Sequence, residues 1–304
     1  MKILLSLLFQ VFVIIIIITL IKKTEDWYWT LLFIVPMGVI YRDKAAELLD
    51  HTKKIFGESA WKRSQRQLMR KGKLQKDTKI RISFAYLFRI KVDNKYFLVA
   101  NSRTRKYQPV GGAYKFDKKE AIYLSKHIPA ESDDCIPVNE VTKMDYRLLV
   151  KNKNLKDFLR RFDKTKNREN IDNLSREFIE EVFESRILKK EKFGALSYRY
   201  CGRHITEISK SPFNHYEVLL ADIVEVDLTE KQEKLFKDIM GEDSDLYMFA
   251  TPKEIISLGM NVGTQELNDN IANHTYKILT ENDDELIKGI KYNFRYRSPI
   301  VVNL

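Results

Sequence analysis

Two kinds of hydrophobic pattern divide this chain. Ile3 to Ile21 is apolar apart from Ser6, Gln10 and Thr19, and holds an unbroken isoleucine run from Ile14 to Ile18. A helix of that length spans about 28 Å, close to the hydrocarbon thickness of a bilayer. Lys22-Lys23-Thr24-Glu25-Asp26 makes a polar turn, after which Trp27 to Tyr41 is apolar again, with Pro36 and Gly38 inside it. Trp27, Tyr28 and Trp29 at one end and Tyr41 at the other suit the two membrane interfaces. Residues 1–41 are therefore expected to form a transmembrane hairpin of two helices, about 3–21 and 27–41. A cleaved signal peptide is a poorer fit, because no small-residue cleavage site precedes Trp27.

From Ile80 the pattern becomes that of a folded α/β domain. Arg81–Ile90 and Lys95–Ala100 read as strands joined across the Asp93-Asn94 turn. Tyr107 to Tyr114 carries a Pro-Val-Gly-Gly turn, and Tyr146 to Val150 reads as a short strand. Leu155, Phe158, Leu159 and Phe162 follow helical spacing, and Asp163–Asn170 is a polar loop. Leu196–Ile208 and His215–Val226 are expected strands, and Thr229–Met240 an expected helix. Thr251-Pro252 places a capping threonine and a first-turn proline ahead of another helix, with a further short helix over Asn270–Leu279. The expected architecture is a mixed, mainly antiparallel sheet with flanking helices over 80–304.

Charge sharpens the membrane reading. The 304-residue chain has a formal charge of +11, and residues 42–81 hold thirteen Lys/Arg against five Asp/Glu. A basic flank of this kind places residues 42–304 in the cytoplasm, on the inner face of the membrane. The segment 42–79 then reads as a juxtamembrane element touching anionic headgroups. With only Phe56 and Trp61 available to stack bases, polymeric nucleic acid is a poorer partner. Cys135 and Cys201 have no ligand-like spacing, so a disulfide framework is not expected.

The residues that carry candidate chemistry lie around 176. In Arg176-Glu177-Phe178-Ile179-Glu180-Glu181, helical spacing brings Glu177, Glu180 and Glu181 onto one face, opposite Leu174, Phe178, Val182 and Phe183. Such a stripe can hold a hard cation such as Mg²⁺ against a phosphate, or serve as the solvated face of an amphipathic helix. Gly111-Gly112 is either a close approach to a ligand or a plain turn.

The order of strands, Pro-x-Gly-Gly turn, Arg-Glu-x-x-Glu-Glu helix, further strands and Thr-Pro-x-Glu helix resembles a Nudix domain over about 80–280. The resemblance implies that Gly111 and Gly112 shape a phosphate site, that Glu177, Glu180 and Glu181 are the metal ligands, and that Arg176 braces the helix. Three departures accompany it. The family glutamate expected six residues after the second glycine is Lys118, and the glycine after the glutamate pair is Phe183. Sixty-three residues separate Gly112 from Arg176 where about thirteen are expected, an insertion of about 118–170. Glu169 lies seven rather than eight residues before Arg176, a slip that would turn it by about 100° on a helix. These departures argue against hydrolysis while leaving a pocket for phosphate-bearing ligands.

The whole-chain arrangement resembles the membrane-anchored Nudix effectors found beside CD-NTases in CBASS anti-phage systems. That resemblance implies a cytoplasmic domain that binds a cyclic oligonucleotide made by the CD-NTase. Homo-oligomeric assembly of the hairpins would follow, with loss of inner-membrane integrity. Arg103, Arg105 and Lys106 are the expected phosphate contacts, with Arg199 and Arg203 as weaker candidates. Tyr107, Tyr114, Tyr198 and Tyr200 are either base-stacking or core residues, and His215 is expected to be a core histidine. The competing expectation is a membrane-tethered, Mg²⁺-dependent hydrolase of nucleoside diphosphate derivatives.

Overall fold

The computed structural model describes residues 60–133, 142–211, 214–259, 269–287 and 298–304. The expected membrane hairpin and residues 42–59 of the basic segment lie outside them. Among the described residues no helix is long and apolar enough to cross a membrane.

The domain opens with helix α1 (Ala60–Arg70), then strands β1 (Lys79–Arg89), β2 (Lys91–Val92), β3 (Lys95–Ala100), β4 (Tyr107–Gln108) and β5 (Gly111–Ala113). Helix α2 (Lys118–His127), β6 (Ala130–Ser132), β7 (Arg147–Lys151) and α3 (Leu155–Lys164) follow. Helix α4 starts as Arg176–Phe178 and continues as π-helical backbone over Ile179–Glu184. Beyond it come α5 (Lys190–Phe193), β8 (Leu196–Ile205), β9 (Ser209–Lys210), β10 (Tyr216–Val226), α6 (Glu230–Met240), β11 (Tyr247–Ala250), α7 (Pro252–Ile256) and β12 (Ile300–Val302).

The main sheet has the order β12-β8-β10-β1-β7-β6, with β5 also paired to β1 and β9 to β10. Its neighbours are antiparallel except the central pair, β1 and β10, which run parallel over ten residues from Ile80↔Tyr216 to Arg89↔Glu225. That pair is buried on both faces, which explains why both strands read as near-continuous apolar runs rather than alternating ones. The smaller sheet is β11-β3-β2, with β4 on β3. The expected hairpin is shorter than its sequence signal. Of the two strands before the turn only β2 pairs with β3, across Asp93 and Asn94, which both take positive φ, whereas β1 belongs to the main sheet.

Local signals explain the helices. Thr229 and Thr251 each close a capping box, with Gln232 and Glu254 respectively, and Pro252 occupies the first turn of α7. Helix α1 is seated on the domain by buried Trp61 and by Ser64, whose Oγ accepts from the Ile208 N–H at 2.8 Å. The segment between β5 and α4 is built into the same core. Phe162 of α3 packs on Phe84 of β1 at 4.4 Å between ring centroids, and on Tyr114 and Tyr146 at 5.3 and 5.0 Å. Inside that segment the fully buried Glu120 accepts two hydrogen bonds from Arg161, at 2.9 and 2.6 Å, and a third from Thr165 at 2.6 Å.

Candidate functional site

The site begins with backbone pairing. Strand β5 lies along β1 with Gly111 opposite Leu87, Gly112 opposite Tyr86 and Ala113 opposite Ala85. Gly111 has φ +148°, and a Cβ there would lie 2.2 Å from the Tyr86 carbonyl oxygen, so no other residue fits. Gly112 needs its missing side chain for another reason. A Cβ on it would sit 2.0 Å from Glu177 Oε1. The glycine pair is therefore the seat on which the α4 carboxylates rest.

Arg176 ties that seat together. Its Nε donates to Glu169 Oε1 at 2.7 Å, and its Nη2 donates to Glu169 Oε2 at 3.2 Å and to the Ala113 carbonyl at 3.0 Å. Its Nη1 donates to Glu177 Oε1. Burial works against the Arg176 charge, but Glu169, Tyr86 and Glu177 overcome it and hold its pKa above the ordinary value. Glu169 also accepts from the Lys115 N–H at 2.8 Å.

The Glu169 slip read from the sequence is thereby corrected. Glu169 is not on the helix, so the one-residue offset rotates nothing. The intervening segment leaves and returns through adjacent backbone: Asp117 N–H donates to the Asn167 carbonyl at 3.0 Å, Phe116 bridges Arg168, and Glu169 N–H donates to the Lys115 carbonyl at 2.8 Å. With residues 117–167 set aside, Glu169 is the sixth residue after Gly112, the place the Nudix motif gives its glutamate. Lys118 is an exposed first residue of α2 and takes no part. Phe183 faces inward, against Phe178 and Phe193 at 5.5 and 5.4 Å.

A cavity of about 450 Å³ opens over this seat. Glu177, Glu180 and Glu181 line it, together with Gly111 and Gly112. Glu181 Oε2 accepts from the Gly111 N–H at 2.8 Å. Burial, reinforced by Glu177 and Glu180, still raises the Glu181 pKa to about 8, and burial also raises that of Glu177. The expected metal arrangement is not assembled. Glu177 and Glu181 each commit an oxygen to the protein, and among the described residues no three carboxylate, histidine or cysteine side chains converge as a cation would require. The chemistry of the donors suits Mg²⁺, their present geometry does not, and no step is derived through a metal.

Cations outnumber carboxylates around the cavity. Arg103, Arg105, Lys115, Arg147 and Arg176 line it, against Asp145 and the three glutamates. Arg103 and Arg105 sit on a turn closed by Asn101, whose Oδ1 accepts from the N–H groups of residues 103 and 104 at 2.9 and 3.0 Å. The Arg105 N–H adds a bond to the Asn101 carbonyl at 2.8 Å. Lys106 departs from expectation: its Nζ pairs with Asp269 at 2.6 Å and it is absent from the cavity lining.

The weaker candidates are engaged elsewhere. Arg199 pairs with Asp227, and Arg203 with Asp222 and Asp163. The hydroxyls of Tyr107, Tyr114, Tyr198 and Tyr200 donate to Ser244, Asp222, Ile171 and Asp222 respectively, and none of the four lines the cavity. His215 is half-buried just before β10 rather than inside it. Sequence reasoning missed Lys115, Asp145 and Arg147. Their only signal was position: Lys115 three residues past the glycine pair, the other two flanking Tyr146 at a predicted strand.

No curated protein sequence matches the chain. A family model for the SMODS-associated NUDIX domain does, over residues 79–279, a span that runs from the first residue of β1 through the glycine seat and the α4 glutamates to Leu279. This match covers about two thirds of the sequence and contains every residue of the cavity just described, so the chain belongs to the SMODS-associated NUDIX domain family.

Proposed function

We propose that this chain is an effector of a CBASS antiviral system whose Nudix-like domain binds a cyclic oligonucleotide made by a partner CD-NTase. The observation that carries this reading is the cavity itself, a glycine-floored pocket with five cationic side chains in a SMODS-associated NUDIX domain. Its volume falls within the range of small-molecule sites. Because burial raises the Glu181 pKa to about 8, this carboxyl is mostly protonated at neutral pH, and the acidic wall repels an anion less than its sequence implies. Binding occurs without turnover, and the N-terminal apolar segments anchor the chain in the bacterial inner membrane with the domain in the cytoplasm. One hairpin cannot line a pore, so ligand must drive association of several chains, and the coupling energy comes from tighter ligand binding in the assembled state.

The test uses the full-length chain reconstituted in anionic vesicles loaded with a self-quenched dye. A panel of cyclic di- and trinucleotides is added, and dye release and oligomeric state are read together. Release by one member of the panel, lost in Arg103→Ala/Arg105→Ala, is the expected result. Tight binding that changes neither permeability nor oligomeric state overturns the effector reading. The clustering of Glu177, Glu180 and Glu181 at one cavity keeps a hydrolase as the second reading. Mg²⁺-dependent turnover of a nucleoside diphosphate derivative, abolished by Glu180→Gln/Glu181→Gln, would establish it instead.

A further inference from the structure

Among the cations of the cavity, one is contributed by the segment that interrupts the Nudix motif. Strand β7 pairs with β1 below β5, placing Arg147 opposite Ser83 on the edge where Ala113 stands opposite Ala85. Positions two apart on a strand share a face, so Arg147 follows Ala113 and Gly111 along one side of the sheet. The two strands meet end to end at the Lys115↔Asp145 bridge. A short connection from Gly112 to Arg176 would contain no such strand.

Two cations of this edge, Lys115 and Arg147, meet at one carboxylate. Asp145 is largely buried and is shared: Oδ1 accepts from Lys115 Nζ at 2.7 Å, and Oδ2 from Arg147 Nη1 at 3.2 Å. One carboxylate thus serves two cations. Arg103 lies close enough to oppose the Arg147 charge, and burial together with that repulsion lowers the Arg147 pKa against the pull of Asp145 and Glu177. Neither Arg103 nor Arg105 forms a side-chain ion pair with any described residue. Glu177, the other acid that acts on the Arg147 charge, is already bound to Arg176. Like charges crowded in a half-buried pocket destabilise the empty protein and favour an anion that bridges them.

We infer that Arg147, delivered by the inserted segment, forms with Arg103 a phosphate subsite separate from the glutamate helix, which takes a phosphodiester of the ligand without a bridging metal. The segment's role is then ligand recognition, and the ligand carries a phosphate that never meets the Nudix glutamates. The inference rests on the phosphate-ligand reading of the cavity above, but not on the ligand being cyclic or on the membrane.

Inorganic pyrophosphate is the probe, titrated by calorimetry into the full-length chain in detergent at low ionic strength with EDTA present. Wild type is expected to bind, and Arg147→Gln to weaken binding on the order of tenfold or more, the usual effect of losing charge-assisted hydrogen bonds. Arg199→Gln, which alters an arginine paired outside the cavity, is expected to bind as wild type. An unchanged affinity in Arg147→Gln with intact thermal unfolding overturns the inference, as does a wild type that binds pyrophosphate only when Mg²⁺ replaces EDTA. Should Arg147→Gln fail to fold, Arg103→Gln on its exposed turn carries the same expectation. Pyrophosphate binding that depends on Arg147, combined with no response to any cyclic nucleotide, overturns the effector reading and leaves the subsite standing. Cyclic-nucleotide binding indifferent to Arg147 overturns the subsite alone.

Discussion

Replacing Arg176 with methionine tests whether Glu169 stands in for the missing motif glutamate. The guanidinium makes three contacts to Glu169 and Ala113 between 2.7 and 3.2 Å, and a fourth to Glu177. The side chains of Arg176, Glu169 and Glu177 are 23%, 20% and 14% exposed, so the cluster is mostly shielded from water. Removing one partner of a buried ion pair costs about 3–5 kcal/mol, because the remaining charge is left uncompensated. Here three carboxylates lose a partner, Glu180 at 3.6 Å being the third, which favours the upper half of that range. For a domain of this size 1 kcal/mol corresponds to about 2–4 °C, so Arg176→Met should lower the midpoint by about 8–20 °C. Adding Glu169→Gln removes one stranded charge, and the double variant should recover about 1–2 kcal/mol relative to Arg176→Met alone. Lys118→Glu, which restores the motif letter at an exposed position, should change stability by no more than about 0.5 kcal/mol. Thermal unfolding of the full-length chain in detergent, followed by circular dichroism, measures all three together with Glu169→Gln alone. Strict additivity of Arg176→Met and Glu169→Gln, or a gain of several degrees from Lys118→Glu, would refute the reasoning.

Three further outcomes are expected. Gly112→Ala should displace Glu177 and break its bond to Arg176, costing about 1.5–3 kcal/mol in urea unfolding, since the new Cβ would lie 2.0 Å from Glu177 Oε1. Glu181, with a folded pKa of about 8 against an ordinary 4.5, favours the folded state fully below about pH 4.5 and loses that contribution as pH rises through about 8. Glu181→Gln should therefore flatten the stability profile across that window, and an unaltered profile would show the carboxyl to be ionised throughout. Glu120→Gln strips Arg161 of a fully buried partner and should cost about 3–5 kcal/mol, with limited proteolysis cutting first between residues 117 and 167.

The legibility of the sequence tracks how local each signal is. The capping boxes at Thr229 and Thr251, the Asp93-Asn94 turn and the apolar runs of β1 and β10 depend on neighbours within a few residues, and each appears where expected. Helix α2 and strand β6 were not foreseen. The α2 pattern is weak, its buried face being Leu124 with the carboxylate Glu120, whose burial depends on Arg161 forty-one residues away. Likewise, no periodicity announces that β1 leaves its hairpin partner to lie parallel to β10, because that choice is made by packing both faces.

The candidate site shows the same division at the level of single residues. The glycine pair and the α4 glutamates are contiguous motifs, and all five line one cavity. Glu169 was misjudged because the offset from Arg176 was counted along a helix, whereas the pairing is made across space by a segment that returns to its point of departure. That stitching has a physical consequence. An insertion whose two ends are hydrogen-bonded to each other returns the chain to its point of departure, so the motif beside it can keep its geometry. The interrupted motif is thus compatible with an intact seat, and what the interruption adds is Arg147, a cation delivered to the cavity by a strand that a short connection could not contain. Changes in ligand preference within this architecture should therefore arise from residues 117–167 before they arise from the glutamate helix.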